Sequence, residues 1–264
     1  KGRALQIITN PVYSNGEKNG AICLIIDVSA KKKAEKMRRE FTANVTHELK
    51  TPLTSISGYA EIIASGLVKP DDIPNFANKI HKESGRLLSL ISDIMELSQL
   101  DEKFSDEEFA PVDLAGVAAE VAEDLRSNAE KHGITITVDT KTAVINGNRN
   151  QIYELIYNLC DNAIRYNREN GSVKIITGDD NEHPFVKVAD TGIGIAPEEQ
   201  GKVFERFYRV DKSRSKARGG TGLGLAIVKH AALYHHATLD LSSELGVGTT
   251  ITVTFPIQQD EPFA

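Results

Sequence analysis

The segment FTANVTHELKTPLTSI, residues 41–56, brings four chemically informative side chains together: His47, Glu48, Thr51 and Pro52. An imidazole is largely neutral near pH 7, and a neutral ring nitrogen is a competent nucleophile. Glu48 can accept a proton from one ring nitrogen and so leave the other nitrogen free to attack. The pair therefore has the composition of a nucleophile with its base, although a histidine beside a glutamate is also an ordinary surface combination.

Apolar spacing predicts that this segment is helical and that His47 is exposed. Val45 and Leu49 each stand two positions from His47, which is about 200° around a helix, so an imidazole opposite them faces solvent. Thr51 lies one turn further along the same face, where its hydroxyl can hold a water molecule or bond to a backbone carbonyl. Pro52 removes an amide and weakens the helix at this point.

Two glycine-rich runs indicate a second kind of site. ADTGIGIAP carries Gly192 and Gly194 after a predicted strand, and RGGTGLGLAIVKH carries further glycines before a predicted helix. Glycine lets backbone amides approach an anion, and a helix N-terminus adds unpaired N–H groups, so the second run predicts a phosphate cradle. Neither run matches a dinucleotide fingerprint or a P-loop, and each alone also fits a flexible loop. The glycines of the second run are Gly219, Gly220, Gly222 and Gly224.

The segment NLCDNAIRYN places polar side chains on one face of a predicted helix. Asn158 and Asn162 are four residues apart, and Arg165 and Tyr166 continue that face. An amide oxygen is a suitable ligand for Mg²⁺, and arginine binds phosphate oxygens, although a buried structural asparagine is an equally ordinary reading. Asp190, at the end of a predicted strand before Gly192, is placed either to accept hydrogen bonds from an adenine amino group or to cap a turn.

The periodicity along the chain predicts three parts. Residues 1–29 form a hairpin, because LQIIT and AICLIIDV flank an Asn-Gly turn signal, and two strands alone are so marginal that we expect the end of a truncated sensor-type domain. Residues 30–104 predict two long amphipathic helices, whose apolar stripes a homodimeric four-helix bundle would bury. Residues 105–264 mix helices and strands, which predicts an α+β sandwich with one antiparallel sheet and helices on one face.

Composition limits the partners. The 264 residues are 40% apolar and 26% charged, with a formal net charge of −6, a balance typical of a globular protein. This acidic charge argues against binding to nucleic acid or to an anionic lipid surface. The apolar runs fall far short of the ~20 residues that span a bilayer. Cys23 and Cys160 lie in apolar runs far apart in sequence, which predicts buried, reduced thiols.

Five motifs together resemble those of two-component sensor histidine kinases. FTANVTHELKTPLTSI is similar to the phosphoacceptor box, NLCDNAIRYN to the N box, DTGIGI to the first glycine box, FERFYRVD to the F box and GGTGLGLAIVK to the second glycine box. All five occur in the family order across residues 30–257. The chain most resembles the phosphate-regulon and cell-wall-stress sensor kinases, which have an upstream PAS domain. Arg165 departs from the family pattern, because lysine usually stands there, and the change alters the geometry of the charge.

The resemblance implies a protein-histidine kinase that phosphorylates itself and passes the phosphoryl group to an aspartate of a response regulator. His47 would be the phosphorylated nucleophile and Glu48 its general base. Thr51 stands three residues after Glu48, which resembles the signature of phosphatase activity toward the phosphorylated regulator. One helical turn would then serve two opposite reactions.

The resemblance also implies that ATP and Mg²⁺ are bound in the second half of the chain. Asn162 would be the Mg²⁺ ligand, Asp190 would read adenine, and Arg209 would contact phosphate. The other implied nucleotide-binding residues are Asn158, Arg165, Tyr166, Gly192, Gly194, Gly220, Gly222, Leu223 and Gly224.

The fold implied is α+β: a long-helix hairpin that forms a dimeric four-helix bundle, followed by a Bergerat-type α/β sandwich that binds ATP. The implied domains are a PAS-like remnant over 1–29, dimerisation and phosphotransfer helices over 30–104, and a catalytic domain over 105–264. Partners would be a response regulator and a second copy of the chain. Since the chain begins without Met and in mid-pattern, we expect the cytoplasmic portion of a bacterial sensor that is anchored in the membrane upstream.

Two other hypotheses share parts of this pattern. A chaperone-like or gyrase-like ATPase has the same ATP-binding fold but uses water as the nucleophile, and so predicts no acid-labile phosphate on the protein. A dimeric scaffold with an inactive pocket predicts no ATP binding. The sequence favours neither, because the phosphoacceptor box and the pocket motifs are all present.

Overall fold

The computed structural model describes residues 2–14, 16–102, 109–181, 183–210 and 220–257. Its contacts divide the chain into two compact units, Lys1–Ser84 and Gly85–Ala264. The predicted Gly219 lies outside the described residues. The three-part division predicted from the sequence, with boundaries after residues 29 and 104, remains a prediction. Neither boundary coincides with the one between the two units, which follows Ser84.

The first unit begins with a two-stranded antiparallel hairpin. Strand β1 spans Leu5–Ser14 and strand β2 spans Glu17–Asp27. Apolar side chains on both strands are exposed, including Ile7 and Ile25, because a two-stranded sheet has no second layer to cover it. The prediction that Cys23 is buried is wrong for the same reason, since this residue lies exposed on β2.

Two long helices follow, as the apolar spacing predicted. Helix α1 spans Ser29–Ala64 and helix α2 spans Ile73–Glu102, with a 3₁₀ turn at Pro70–Asp72 between them. In the first unit, the Tyr59 and Phe76 rings meet edge to face with centroids 5.8 Å apart. The division between the units falls within α2, so the last part of this helix belongs to the second unit.

The second unit is the mixed α and β part of the chain. Its helices are α3, Leu114–Lys131; α4, Arg149–Arg165; α5, Pro197–Gln200; and α6, Gly224–Tyr234. Its strands are β3, Ala110–Asp113; β4, Thr135–Thr140; β5, Val144–Gly147; β6, Ser172–Asp180; β7, His183–Asp190; β8, Thr238–Glu244; and β9, Gly248–Thr254.

The main sheet has the order β4-β6-β7-β9-β8, and β3 pairs with β5 in a separate two-stranded sheet. The predicted antiparallel sheet is wrong in one detail: β4 runs parallel to β6, while the other neighbours are antiparallel. A parallel pair needs a long crossover connection, and here β5 and α4 lie between the two strands in sequence. The short strand β3 was not predicted.

Alternation along the strands supports a single covered face. Val173 and Ile175 on β6 and Val186 and Val188 on β7 are buried, which is the period of two that puts every second side chain on one face. The helices α3 and α4 contact these strands and carry much of the rest of the core. The predicted arrangement of a sheet with helices on one face therefore agrees with the structure.

A buried histidine joins α4 to α6. The backbone amide of Asn148 donates to Nε2 of His235 over 3.0 Å, so Nδ1 carries the proton and donates to the carbonyl of Ala231 over 2.8 Å. Phe109 and Phe255 pack around the ring. Burial, opposed in part by the Ala231 hydrogen bond, holds the pKa of His235 below its usual value. The imidazole is therefore a neutral structural group.

Within the described residues, no helix combines the length and the apolar character that crossing a membrane requires.

Candidate functional site

His47 is presented to solvent on α1. Its side chain is 80% exposed, and Oε1 of Glu48 lies 3.8 Å from its Nδ1. This distance allows an electrostatic contact but is longer than a hydrogen bond. The structure thus confirms the predicted exposure of His47 and places a carboxylate beside one ring nitrogen, which leaves Nε2 as the nitrogen on the other side of the ring.

The Thr51 hydroxyl is bonded within its own helix. It donates to the carbonyl oxygen of His47 over 3.1 Å, which is the alternative that the sequence left open. Other hydroxyls on α1 make the same bond four residues back: Thr42, Thr46 and Ser55. The hydrogen bond at Thr51 is therefore one of several hydroxyl-to-carbonyl bonds that recur along this helix. It leaves the lone pairs of the Thr51 oxygen available to accept from water. Pro52 lies inside α1 and is buried.

A cavity of about 520 Å³ lies in the second unit, bounded by α4, the loop after β7 and the turn before α6. This volume is in the range of small-molecule sites. Most of the nucleotide-binding residues predicted from the sequence are on its wall: Asn158, Asn162, Arg165, Tyr166, Asp190, Gly194, Arg209, Gly220, Gly222 and Gly224.

Two predicted residues lie behind this wall. Leu223 is fully buried in the core, at the start of α6. A Cβ at Gly192 would lie 2.5 Å from the carbonyl oxygen of Tyr166 and 2.7 Å from Oδ1 of Asp190. Both residues shape the site by packing and would not touch a ligand through a side chain.

Asn158 and Asn162 are oriented by their own helix, α4. Nδ2 of Asn158 donates to the carbonyl of Glu154 over 2.9 Å, and Nδ2 of Asn162 donates to the carbonyl of Asn158 over 2.8 Å. Because the amide nitrogens are used on the backbone, the amide oxygens are the atoms left for the cavity. A Cβ at Gly224 would lie 2.7 Å from Oδ1 of Asn158, so glycine allows α6 to approach these amides.

Asn162 is chemically suited to hold Mg²⁺. Its side-chain oxygen is a hard ligand of the kind that Mg²⁺ binds together with waters and substrate phosphates. Among the described residues, no group of three or more His, Cys, Asp or Glu side chains is arranged to hold a metal ion. A cation here would therefore depend on Asn162 and on the phosphates of a bound nucleotide.

Asp190 ties together two loops at the other end of the cavity. Its Oδ1 accepts hydrogen bonds from the backbone amides of Gly192, over 2.7 Å, and Thr249, over 3.2 Å. Oδ2 remains to accept from a ligand amino group. Burial raises the pKa of Asp190, and these two hydrogen bonds oppose the rise. Gly194 follows with φ +67°, where a Cβ would clash with the carbonyl of Glu244.

Two arginines lie on the cavity wall. Arg165 is held on α4 by Asp161, with Nη2 2.7 Å and Nε 3.2 Å from Oδ2, a two-point contact that fixes the guanidinium plane. Arg209 belongs to the motif FERFYRVD, residues 204–211, of which the structure describes 204–210. Phosphates of a nucleotide would meet positive charge from both.

Sequence reasoning missed several residues at the cavity, among them Ser89, Asp93 and Thr221. Ser89 and Asp93 reach its wall from the last part of α2, which belongs to the second unit. The hydroxyl of Thr221, inside the second glycine run, donates to Oδ2 of Asp93 over 2.6 Å. Thr221 stands within a quoted motif, but nothing in the sequence points to Asp93, which lies 128 residues away.

Comparison with known proteins identifies both halves of the chain. Residues 37–103 match the His Kinase A (phospho-acceptor) domain, and residues 147–259 match the histidine kinase-, DNA gyrase B-, and HSP90-like ATPase domain. Together these ranges cover more than half of the 264 residues. They contain His47 and the asparagines of α4, respectively.

Relatives in curated collections are sensor kinases. The sensor-like histidine kinase SenX3 of Mycolicibacterium smegmatis is 38% identical over 94% of this chain and 65% of its own length. The phosphate regulon sensor protein PhoR of Pseudomonas aeruginosa is 35% identical over 92% of this chain and 55% of its own length. The chain thus spans less than two thirds of the length of either relative.

Solved structures with a similar fold are also histidine kinases. The crystal structure of histidine kinase ThkA in complex with the response regulator protein TrrA matches with a TM-score of 0.66 and 25% identity, over 96% of this chain and 75% of that one. The resemblance inferred from the five motifs is thereby confirmed. The chain belongs to the sensor histidine kinase family and carries its phosphoacceptor domain and its ATPase domain.

Proposed function

We propose that this chain is the kinase core of a sensor: it transfers the γ-phosphoryl group of ATP to His47 and from there to an aspartate of a response regulator. The observation that carries the proposal is the exposed imidazole of His47 with the Glu48 carboxylate 3.8 Å from Nδ1. A surface histidine serves no packing purpose, and the same chain holds a cavity with amide oxygens, arginines and a half-buried carboxylate.

In the first step, Nε2 of His47 attacks the γ-phosphorus. The N–P bond forms while the bond between the γ-phosphorus and the bridging oxygen breaks, so ADP leaves with the electron pair. Glu48 accepts the proton of Nδ1 through a small adjustment of the 3.8 Å contact, which prevents positive charge from building up on the ring. His47 belongs to the first unit and the cavity to the second, so the reaction takes place in a state in which His47 meets the γ-phosphate.

The cavity residues bind and orient ATP. Oδ2 of Asp190 accepts a hydrogen bond from the adenine amino group. This oxygen is available because Oδ1 makes the hydrogen bonds to Gly192 and Thr249. Arg165 and Arg209 are placed to contact phosphate oxygens. Asn162 would hold Mg²⁺, which supplies neutralisation of the phosphate charge during transfer.

The second reaction uses a partner protein. The complex of ThkA with TrrA shows that a related kinase binds a response regulator, and we extend this to the present chain. The carboxylate of a regulator aspartate attacks the phosphorus of phosphorylated His47, the N–P bond breaks, and the imidazole regains its proton. Dephosphorylation of the regulator, with Thr51 orienting the attacking water, completes the proposed activities.

A homodimer is the proposed assembly. Leu88, Ile91 and Met95 are exposed apolar residues on α2, and their spacing of three and four places them on one face of the helix. Such a stripe on a long helix is typical of a bundle interface. The PAS-like remnant is a further proposal, based on the hairpin that precedes α1, and the membrane anchor is a further proposal that rests on the likeness to sensor histidine kinases.

The decisive experiment is incubation with γ-labelled ATP and Mg²⁺. We expect acid-labile, base-stable label on the wild-type chain and none on His47→Gln, whose ATP affinity is unchanged because the cavity is in the other unit. The matched control is His81→Gln, since His81 is also an exposed histidine of the first unit. Label that persists on His47→Gln would refute the assignment, and ATP hydrolysis without any label would favour the ATPase hypothesis.

A further inference from the structure

The last part of α2 forms one wall of the cavity in the second unit. Ser89 and Asp93 both line it, and their spacing of four residues puts them on the same face of α2. Asp93 reaches Thr221, whose hydroxyl donates to Oδ2 over 2.6 Å. Thr221 in turn accepts from the amide of Leu223 over 3.3 Å. A carboxylate of α2 thus holds the glycine turn that precedes α6.

The charge around Asp93 makes this contact unusual. Desolvation raises the pKa of Asp93, opposed by the Thr221 hydrogen bond and by Arg165 and raised further by Asp161. Asp161 already engages Arg165 in a close ion pair, and Glu154, whose pKa is also raised by burial and by Asp93, adds a further negative charge. Asp93 therefore sits among acids, with a hydroxyl as its hydrogen-bond partner in the described part of the chain.

The glycine turn is also where phosphates are expected. Residues 220–224 lead into the N-terminus of α6, and unpaired amides at a helix N-terminus attract anions. An ATP molecule in the cavity brings several negative charges to this end, whereas adenosine brings none. In a partly desolvated site two like charges in close contact repel strongly. The phosphates and the Asp93 carboxylate therefore compete for the same turn.

We propose that Asp93 is a charge-sensitive latch: it holds the glycine turn through Thr221 while the cavity is empty, and the phosphates of ATP displace it. ATP binding then releases the last part of α2 from the ATPase domain, which couples the nucleotide state to the helix that precedes that domain. This inference rests on the proposed binding of ATP. It adds that α2 senses the number of phosphates on the nucleotide.

The test uses Asp93→Asn in the full chain. An asparagine has the same shape and its oxygen can still accept from Thr221, but it carries no charge. We expect calorimetry to show ATP binding about tenfold tighter than in wild type, ADP about threefold tighter, and adenosine unchanged. The control is Asp240→Asn, because Asp240 is an exposed aspartate on β8, and we expect it to bind all three ligands as wild type does.

Hydrogen exchange gives a second readout. In wild type, ATP should increase amide exchange over residues 85–95 and adenosine should not. Asp93→Asn keeps the acceptor for Thr221 and has no charge for the phosphates to repel, so it should show slow exchange with either ligand. In Asp93→Asn, an equal change in affinity for ATP and for adenosine, or no change in ATP affinity, would overturn the latch while leaving ATP binding established. A wild-type chain that binds neither ATP nor adenosine would overturn the proposed function itself, and the latch with it.

Discussion

The Thr51 hydroxyl donates a hydrogen bond to the backbone carbonyl of His47, so the two residues of the proposed opposing reactions are joined within one helical turn. The bond fixes the hydroxyl hydrogen but leaves the oxygen free to accept from a water molecule. Both the scaffolding role and the water-orienting role are compatible with this geometry, and substitutions distinguish them.

Thr51→Ala separates the two activities if Thr51 orients water. We expect autophosphorylation to stay within about twofold of wild type, while dephosphorylation of the purified phospho-regulator falls by about tenfold or more, equivalent to about 1.4 kcal/mol in the barrier. Thr51→Ser keeps the hydroxyl and serves as the control that retains both rates. A parallel fall of both activities in Thr51→Ala would make the residue scaffolding alone.

Asn162→Ala removes the proposed Mg²⁺ ligand. We expect ATP affinity in Mg²⁺ to fall at least about tenfold, about 1.4 kcal/mol, because the change removes the side-chain oxygen that would bind the ion. With EDTA present the variant and wild type should bind alike. Asn150→Ala, at an exposed position of the same helix, is the matched control. Calorimetry that finds equal affinities in Mg²⁺ would exclude Asn162 as a ligand.

Gly224→Ala tests the approach of α6 to α4. The added Cβ would lie 2.7 Å from Oδ1 of Asn158 and 3.2 Å from Nδ2 of Asn162, so it displaces both amides. Overpacking of this kind costs about 1–3 kcal/mol, and we expect weaker ATP binding together with a lower melting temperature. Gly201→Ala is the control, since its Cβ meets nothing within 4 Å. Unaltered ATP affinity in Gly224→Ala would show that the cradle tolerates a shift.

Stability should fall as pH drops because of His235. Burial holds its folded-state pKa below the ordinary histidine value of 6.5, so below pH 6.5 the unfolded chain gains a proton that the folded chain gains only at lower pH. The free energy of unfolding then decreases through this window by up to about 1.4 kcal/mol per pH unit. His235→Gln should lack this contribution, and His81→Gln should keep it. Urea titrations at pH 7.5 and 5.5 that give the same difference for all three proteins would contradict the prediction.

Ile91→Asp should weaken the proposed homodimer. Ile91 is exposed between Leu88 and Met95 on α2, and burial of an isoleucine contributes about 1.5–3 kcal/mol, counted once for each copy. Light scattering at micromolar concentration should show monomers for this variant. Ser92→Asp, at the neighbouring exposed position, should remain dimeric. An unaltered dimer in Ile91→Asp would place the interface on another face.

The sequence predicts most of the local structure because periodicity and caps are local properties. The extents of α1 and α2 follow from apolar steps of three and four, and Asp113 and Asn148 cap α3 and α4 through bonds to amides two and three residues on. The parallel pairing of β4 with β6 could not be predicted in this way. It depends on which strand of the sheet neighbours β4 after the crossover through α4.

The functional site, like the fold, has residues that could be predicted from the sequence and residues that could not. Asn158, Asn162 and Asp190 stand in motifs whose residue types suit their chemistry, and the structure brings them to one cavity. Asp93 could not be predicted, because its only distinction is a tertiary contact with Thr221 across 128 positions. The exposure of Cys23 was also beyond reach, since an apolar run in a strand does not reveal whether another layer covers it.

The hydrogen bonds of Asp190 to Gly192 and Thr249 make a spectroscopic reporter of the cavity. The two amides are far apart in sequence, yet one carboxylate oxygen polarises both. Their proton resonances should therefore titrate together with a single midpoint above the usual value for aspartate, because burial raises the pKa of this group. An adenine bound at the other oxygen would move both resonances at once, so two backbone signals follow occupancy without any label on the ligand.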